Sequence, residues 1–199
     1  MAKVIQFPSP GPEKFGFKPV RKKGKEAKRK PGQLDLFTSG KVVRLNQLSH
    51  FEEALLLDDR GEKKAKDAYQ KAIEEGDSIA DAYCNLGILE SKEGNVSKAI
   101  DCFTKCLKEN PRHFEAHYNL ANLYAEVGNL ALAKVHYQIS IEIEPYFPNG
   151  HFNLGLTLAM NKEIEEAILS LQSYSRLVSH QEKKQALELI NNLSHTLGN

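Results

Sequence analysis

Three groupings in this 199-residue chain carry residue types suited to chemistry. His113, Glu115 and His117 offer two imidazoles around a carboxylate. A zinc-peptidase site needs His-Glu-x-x-His, which sets both rings on one helix face; the spacing here is His-x-Glu-x-His. His113 is also expected in a loop, and His117 falls where Tyr83 and His151 recur, which is a packing periodicity. Cys102 and Cys106 are four apart and share one face of a helix. Zinc would need two further ligands beside them, so the pair reads as core packing. Glu163, Glu165 and Glu166 open a helix, where acids suit the dipole. There is no glycine-rich phosphate loop and no serine at a strand-to-helix elbow. The residues therefore predict no catalytic group, no metal and no cofactor: a protein that is not an enzyme.

The elements that must carry these side chains follow from composition. Apolar residues make up 41% of the chain, with Trp absent and only three cysteines. That supports one modest core built on Leu, Ile, Ala, Tyr and Phe, without a disulfide framework. No apolar run reaches the length of a membrane span, and the first residues lack the apolar stretch of a secretory leader. A cytoplasmic location with no membrane contact is the expectation.

Charge divides the chain. Residues 1–45 hold twelve Lys/Arg against three Asp/Glu, and residues 46–199 hold fifteen against twenty-three. Residues 1–33 carry five of the eight prolines. Such a segment buries too little apolar surface to offset its ordering entropy, so residues 1–43 are predicted to be a disordered basic tail. Lys14–Lys30 is able to contact phosphates, making nucleic acid an alternative partner, although Phe15 and Phe17 form no visible stacking platform. Gln33-Leu34-Asp35-Leu36-Phe37 resembles the pentapeptide by which bacterial replication and repair proteins dock on the sliding clamp. That resemblance implies Leu36 and Phe37 in an apolar pocket and Gln33 at a second one. Two other readings stand beside it: Leu34, Leu36 and Phe37 fold back over the first helical unit, or the match is chance.

From about residue 46 the pattern becomes helical and repeats. Asn85-Leu86-Gly87 recurs as Asn119-Leu120-Ala121 and as Asn153-Leu154-Gly155, each 34 residues on. Ala99, Ala133 and Ala167 keep that step, as do Phe103, Tyr137 and Leu171. Pro111 and Pro145 close two units, and Gly94 and Gly128 mark the turn within them. This arrangement resembles the tetratricopeptide-repeat (TPR) family. The resemblance implies an all-α solenoid, a right-handed superhelix of antiparallel helix pairs. Its units are 80–113, 114–147 and 148–181. A divergent unit at 46–79 precedes them, where Glu52 and Glu53 stand in place of Leu-Gly. Within a solenoid spanning 44–180, one pair cannot bury its own apolar face, so neighbours stack. Residues 181–197, with Ala186, Leu189, Ile190, Leu193 and Leu197 at helical spacing, are predicted to cap the stack.

The resemblance also implies which side chains line the concave groove. They are Asp81, Cys84, Asn85, Ile88 and Lys92, then Glu115, Tyr118, Asn119, Asn122 and Glu126, then Asn149, Phe152, Asn153, Leu156 and Met160. Asn85, Asn119 and Asn153 form a ladder whose amides both donate and accept, which suits the backbone of an extended peptide. Equally, Asn at this position is ordinary for the family. TPR domains that clamp acidic chaperone tails use Lys and Arg here, and only Lys92 is basic, so that class of ligand is disfavoured. The expected function is a protein-interaction scaffold holding a peptide segment of a partner. The alternative is a DNA-associated adaptor tethered to a sliding clamp through Gln33–Phe37.

Overall fold

The computed structural model describes residues 48–197. Among them the chain forms α1 (His50–Asp59), α2 (Ala65–Glu74), α3 (Ile79–Lys92), α4 (Val96–Glu109), α5 (Phe114–Glu126), α6 (Leu130–Ile143), α7 (Pro148–Met160), α8 (Ile164–Leu177) and α9 (His180–Leu197), with no strand. The readings placed on Lys14–Lys30 and Gln33–Phe37 lie outside the described residues. No helix among the described residues is long and apolar enough to cross a membrane.

Consecutive helices pair as hairpins, α1 with α2 through α7 with α8, and each hairpin packs on the next. The even-numbered helices show why. Each turns a narrow stripe inward at spacings of four and three residues: Ala65, Tyr69 and Ala72 on α2, and Ala99, Phe103 and Cys106 on α4. Ala133, Tyr137 and Ser140 follow on α6, and Ala167, Leu171 and Tyr174 on α8. The small residue admits the neighbouring helix and the large one fills the gap beside it. Burying a ring such as Phe103, with no exposed surface, stabilises by about 2–3 kcal/mol. The stacked-hairpin solenoid expected from the 34-residue step is what the chain forms. At its far end Ala186, Leu189 and Leu193 of α9 bury against α8.

Close approach within a hairpin is plainest at Gly155. A Cβ there would lie 2.7 Å from Leu171 Cγ and 3.3 Å from the Ala167 carbonyl oxygen. Ala121 holds the same place in the preceding unit, where Tyr137 stands opposite.

The divergent first unit has a local explanation. Ser49 Oγ accepts from the Glu52 amide at 3.3 Å, and Glu52 Oε2 accepts from the Ser49 amide at 3.0 Å. Glu52 departs from the repeat because it completes the capping box that starts α1. The Phe51 amide donates to Asp77 Oδ2 at 2.7 Å, tying that start to the turn after α2.

The turn between paired helices needs a left-handed residue. Gly94 and Gly128 supply it, but in the third unit the place falls to Lys162, at φ +65°. A side chain there crowds the backbone. Lys162→Gly is therefore expected to raise stability by about 0.5–1 kcal/mol in urea unfolding. A loss of stability would show that the Lys162 side chain is held by contacts worth more than the strain.

Histidines at the fourth position of a unit bind it to the one before. His117 Nε2–H donates to the Pro111 carbonyl (3.2 Å), and His151 Nε2–H to the Pro145 carbonyl (2.9 Å). His117 Nδ1 then has a lone pair for His136 Nδ1–H, at 3.0 Å. Burial lowers the His117 pKa, and burial with the neighbouring His117 brings His136 down to about 4. Both rings are neutral at pH 7. Because the folded value lies below the unfolded one of about 6.5, the unfolded chain takes up protons first as pH falls. Stability present above pH 6.5 is lost toward pH 4, by about 2 kcal/mol. His136→Gln is expected to flatten that loss; equal urea midpoint shifts between pH 7 and pH 5 in both proteins would refute it.

Candidate functional site

The residues expected to line an inner face all lie on the odd-numbered helices α3, α5 and α7, and they differ in burial. Asn85, Ile88, Tyr118, Asn119, Asn122, Phe152, Asn153 and Leu156 are buried, whereas Met160 is 54% exposed. Lys92 and Glu126 are exposed, and Asp81, Glu115 and Asn149 are half-buried. Phe152 packs against Tyr174 with ring centroids 4.9 Å apart.

Tyr118, Asn122 and Asn153 meet in one polar network between α5 and α7. Asn153 Nδ2 donates to the Tyr118 hydroxyl at 3.1 Å and to Asn122 Oδ1 at 3.0 Å. Tyr137, from α6, donates its hydroxyl to the same Asn122 Oδ1 at 2.5 Å. Burial pushes the Tyr118 phenol up to about 12 and raises Tyr137 as well, so both remain uncharged donors. Among the described residues, two buried side-chain atoms are left without a hydrogen-bond partner: Asn122 Nδ2, a donor, and Asn153 Oδ1, an acceptor. The other two ladder residues stand apart from this network. Asn119 Nδ2 approaches Cys84 Sγ at 3.7 Å, and Asn85 lies against the Tyr69 hydroxyl. Part of the ladder therefore stitches one unit to the last.

The cysteines regroup. Cys102 and Cys106 share α4 but not an environment. Cys102 joins the core around Tyr69 and Leu86, where burial and Asp101 push its thiol up to about 11. Cys106 instead meets Cys84 of α3 and His113, all three buried. His113 is the N-cap of α5. Its Nδ1 accepts from the Ala116 amide at 3.1 Å, and its Nε2–H donates to Asp81 at 3.0 Å. Sequence reasoning set His113 beside Glu115 and His117, its neighbours along the chain. The signal for the true grouping was weak: Cys84 and Cys106 occupy different helices of one hairpin.

Two tetratricopeptide-repeat family models match the sequence, over residues 80–113 and 102–134. No curated protein matches it. Solved structures share the shape. YrrB, described as a TPR protein with an unusual peptide-binding site, is 22% identical with a TM-score of 0.65, covering 75% of this chain and 77% of its own. MamA from Desulfovibrio magneticus RS-1 is 18% identical with a TM-score of 0.64, covering 75% and 84%. The first TPR of Spaghetti (RPAP3), bound to the HSP90 peptide SRMEEVD, is 20% identical with a TM-score of 0.55, covering 60% and 94%. At these identities the likeness is one of fold.

Proposed function

We propose that this chain, a tetratricopeptide-repeat protein, is a non-catalytic scaffold that holds a peptide segment of a partner along its inner face. The observation that carries this reading is the row of side chains left open on the odd-numbered helices: Asp81 and Lys92 on α3, Glu115 and Glu126 on α5, and Asn149 and Met160 on α7. The amide of Asn149 can both donate to and accept from the C=O and N–H of an extended backbone. Met160, exposed at the end of α7, adds apolar contact. YrrB and the RPAP3 domain are described as peptide binders, which agrees with such a role.

The peptide's charge follows from the same face. Asp81, Glu115 and Glu126 contribute acid, and Lys92 is the one base among the fifteen expected inner positions. A neutral or basic segment suits that field, whereas the acidic HSP90 peptide held by the RPAP3 domain does not.

Selection from a random peptide library, followed by titration of the enriched peptides, tests the proposal. Met160→Glu is expected to weaken their binding about tenfold, a change near 1.4 kcal/mol. Leu169→Glu, at a residue 63% exposed on α8, is expected to change little. The reverse ranking would move the site to the outer face and end this reading.

A further inference from the structure

Cys84 of α3, Cys106 of α4 and His113 at the start of α5 converge in the interior. One ligand atom of each lies within 4.8 Å of the other two, and all three residues are buried. We propose that these side chains form a closed structural Zn²⁺ site, completed by a carboxylate of Asp81 or Glu115.

The donor set argues for that metal. Two thiolates and an imidazole are the borderline-soft ligands zinc prefers over magnesium or calcium. Around a tetrahedral zinc with Zn–S bonds of about 2.3 Å, ligand atoms stand roughly 3.8 Å apart. The present spacing needs to contract only slightly to reach that geometry.

The surroundings supply what a zinc histidine requires. An acid stands at each ring nitrogen: Asp81 Oδ1 is 3.0 Å from Nε2, and Glu115 Oε2 is 3.5 Å from Nδ1. Metal at either nitrogen displaces the Ala116 amide from Nδ1, and the nitrogen left over then donates its proton to the carboxylate beside it, which fixes the ring. The carboxylate on the metal's side supplies the fourth ligand. Asn119 Nδ2, 3.7 Å from Cys84 Sγ, donates to the thiolate that forms on binding. Both thiols have no exposed surface, and His113 is 4% exposed. That closure fits a structural site without an open coordination position. Zinc there would pin three consecutive helices at the junction of units 80–113 and 114–147.

Co²⁺ titration of the reduced, chelator-stripped full-length protein tests the site. The expected result is one Co²⁺ per chain with thiolate-to-cobalt charge-transfer absorption, bleached by Zn²⁺. Zn²⁺ should also raise the thermal midpoint, since it binds the folded chain. Cys106→Ser is expected to lower Co²⁺ affinity about 100-fold or more and to remove the charge-transfer band. That variant should fold, because Ser140 occupies the same repeat position in the next unit; circular dichroism checks it. Cys102→Ser should bind like the wild type. Folded wild type without a charge-transfer band at millimolar Co²⁺ would overturn the proposal. So would an equal loss in Cys102→Ser, or full retention in Cys106→Ser.

Discussion

Tyr137→Ala is expected to lower the free energy of unfolding by about 3–5 kcal/mol. Its ring has no exposed surface and packs 5.9 Å from that of Tyr118. Its hydroxyl serves Asn122 Oδ1 at 2.5 Å. A loss of that size is a large fraction of the total stability of a domain, about 5–15 kcal/mol. Position sharpens the effect. In a solenoid each hairpin touches only its neighbours, so a weak central unit uncouples the two ends. Urea unfolding of the variant should show two transitions where the wild type shows one. Tyr137→Phe keeps the ring and is expected to cost about 1 kcal/mol with a single transition. Tyr146→Ala, at an 80% exposed side chain, should stay within about 0.5 kcal/mol. A Tyr137→Ala protein as stable as Tyr146→Ala would mean that the ring is not the joint between units.

Asn153→Asp should be nearly as damaging at neutral pH while almost preserving shape. It replaces the amide that donates to Tyr118 and Asn122 Oδ1. An ionised carboxylate in that buried place faces the Asn122 oxygen with nothing to donate. Burial and that oxygen favour the protonated acid, so its folded pKa rises above the unfolded value of about 3.9. Below pH 3.9 both states hold the proton, and its O–H replaces the lost N–H donor. As pH climbs, the unfolded chain ionises first, and stability relative to wild type falls until the folded pKa is reached. The expected deficit is small near pH 4 and about 3–4 kcal/mol at pH 7. A deficit independent of pH would show that water or a shifted side chain already solvates the site.

The fold was legible because its signal is periodic. Ala99, Ala133 and Ala167, with Phe103, Tyr137 and Leu171, repeat the same small–large pair at one spacing, and one spacing means one packing solution used again. Where a residue broke the period, a local rule usually explained it afterwards. Glu52 is a capping partner, and Lys162 sits in a left-handed turn built for glycine. The candidate site was less legible. Several side chains expected to line a groove are hydrogen-bonded inside the stack. Asn153 is the clearest case: an amide suited to a peptide backbone is equally suited to a tyrosine of the neighbouring hairpin, and residue type does not separate the two.

By itself the amino-acid order determined the hairpins, their inward stripes and their stacking, because helical periodicity is a local property that each segment carries alone. Only the tertiary structure decided which thiol meets which imidazole, which histidine nitrogen keeps its proton, and which two amide atoms remain unmatched. Those outcomes depend on distances between side chains on different helices, up to 35 residues apart. The approach of packed helices sets such distances, and no pattern within one helix encodes them.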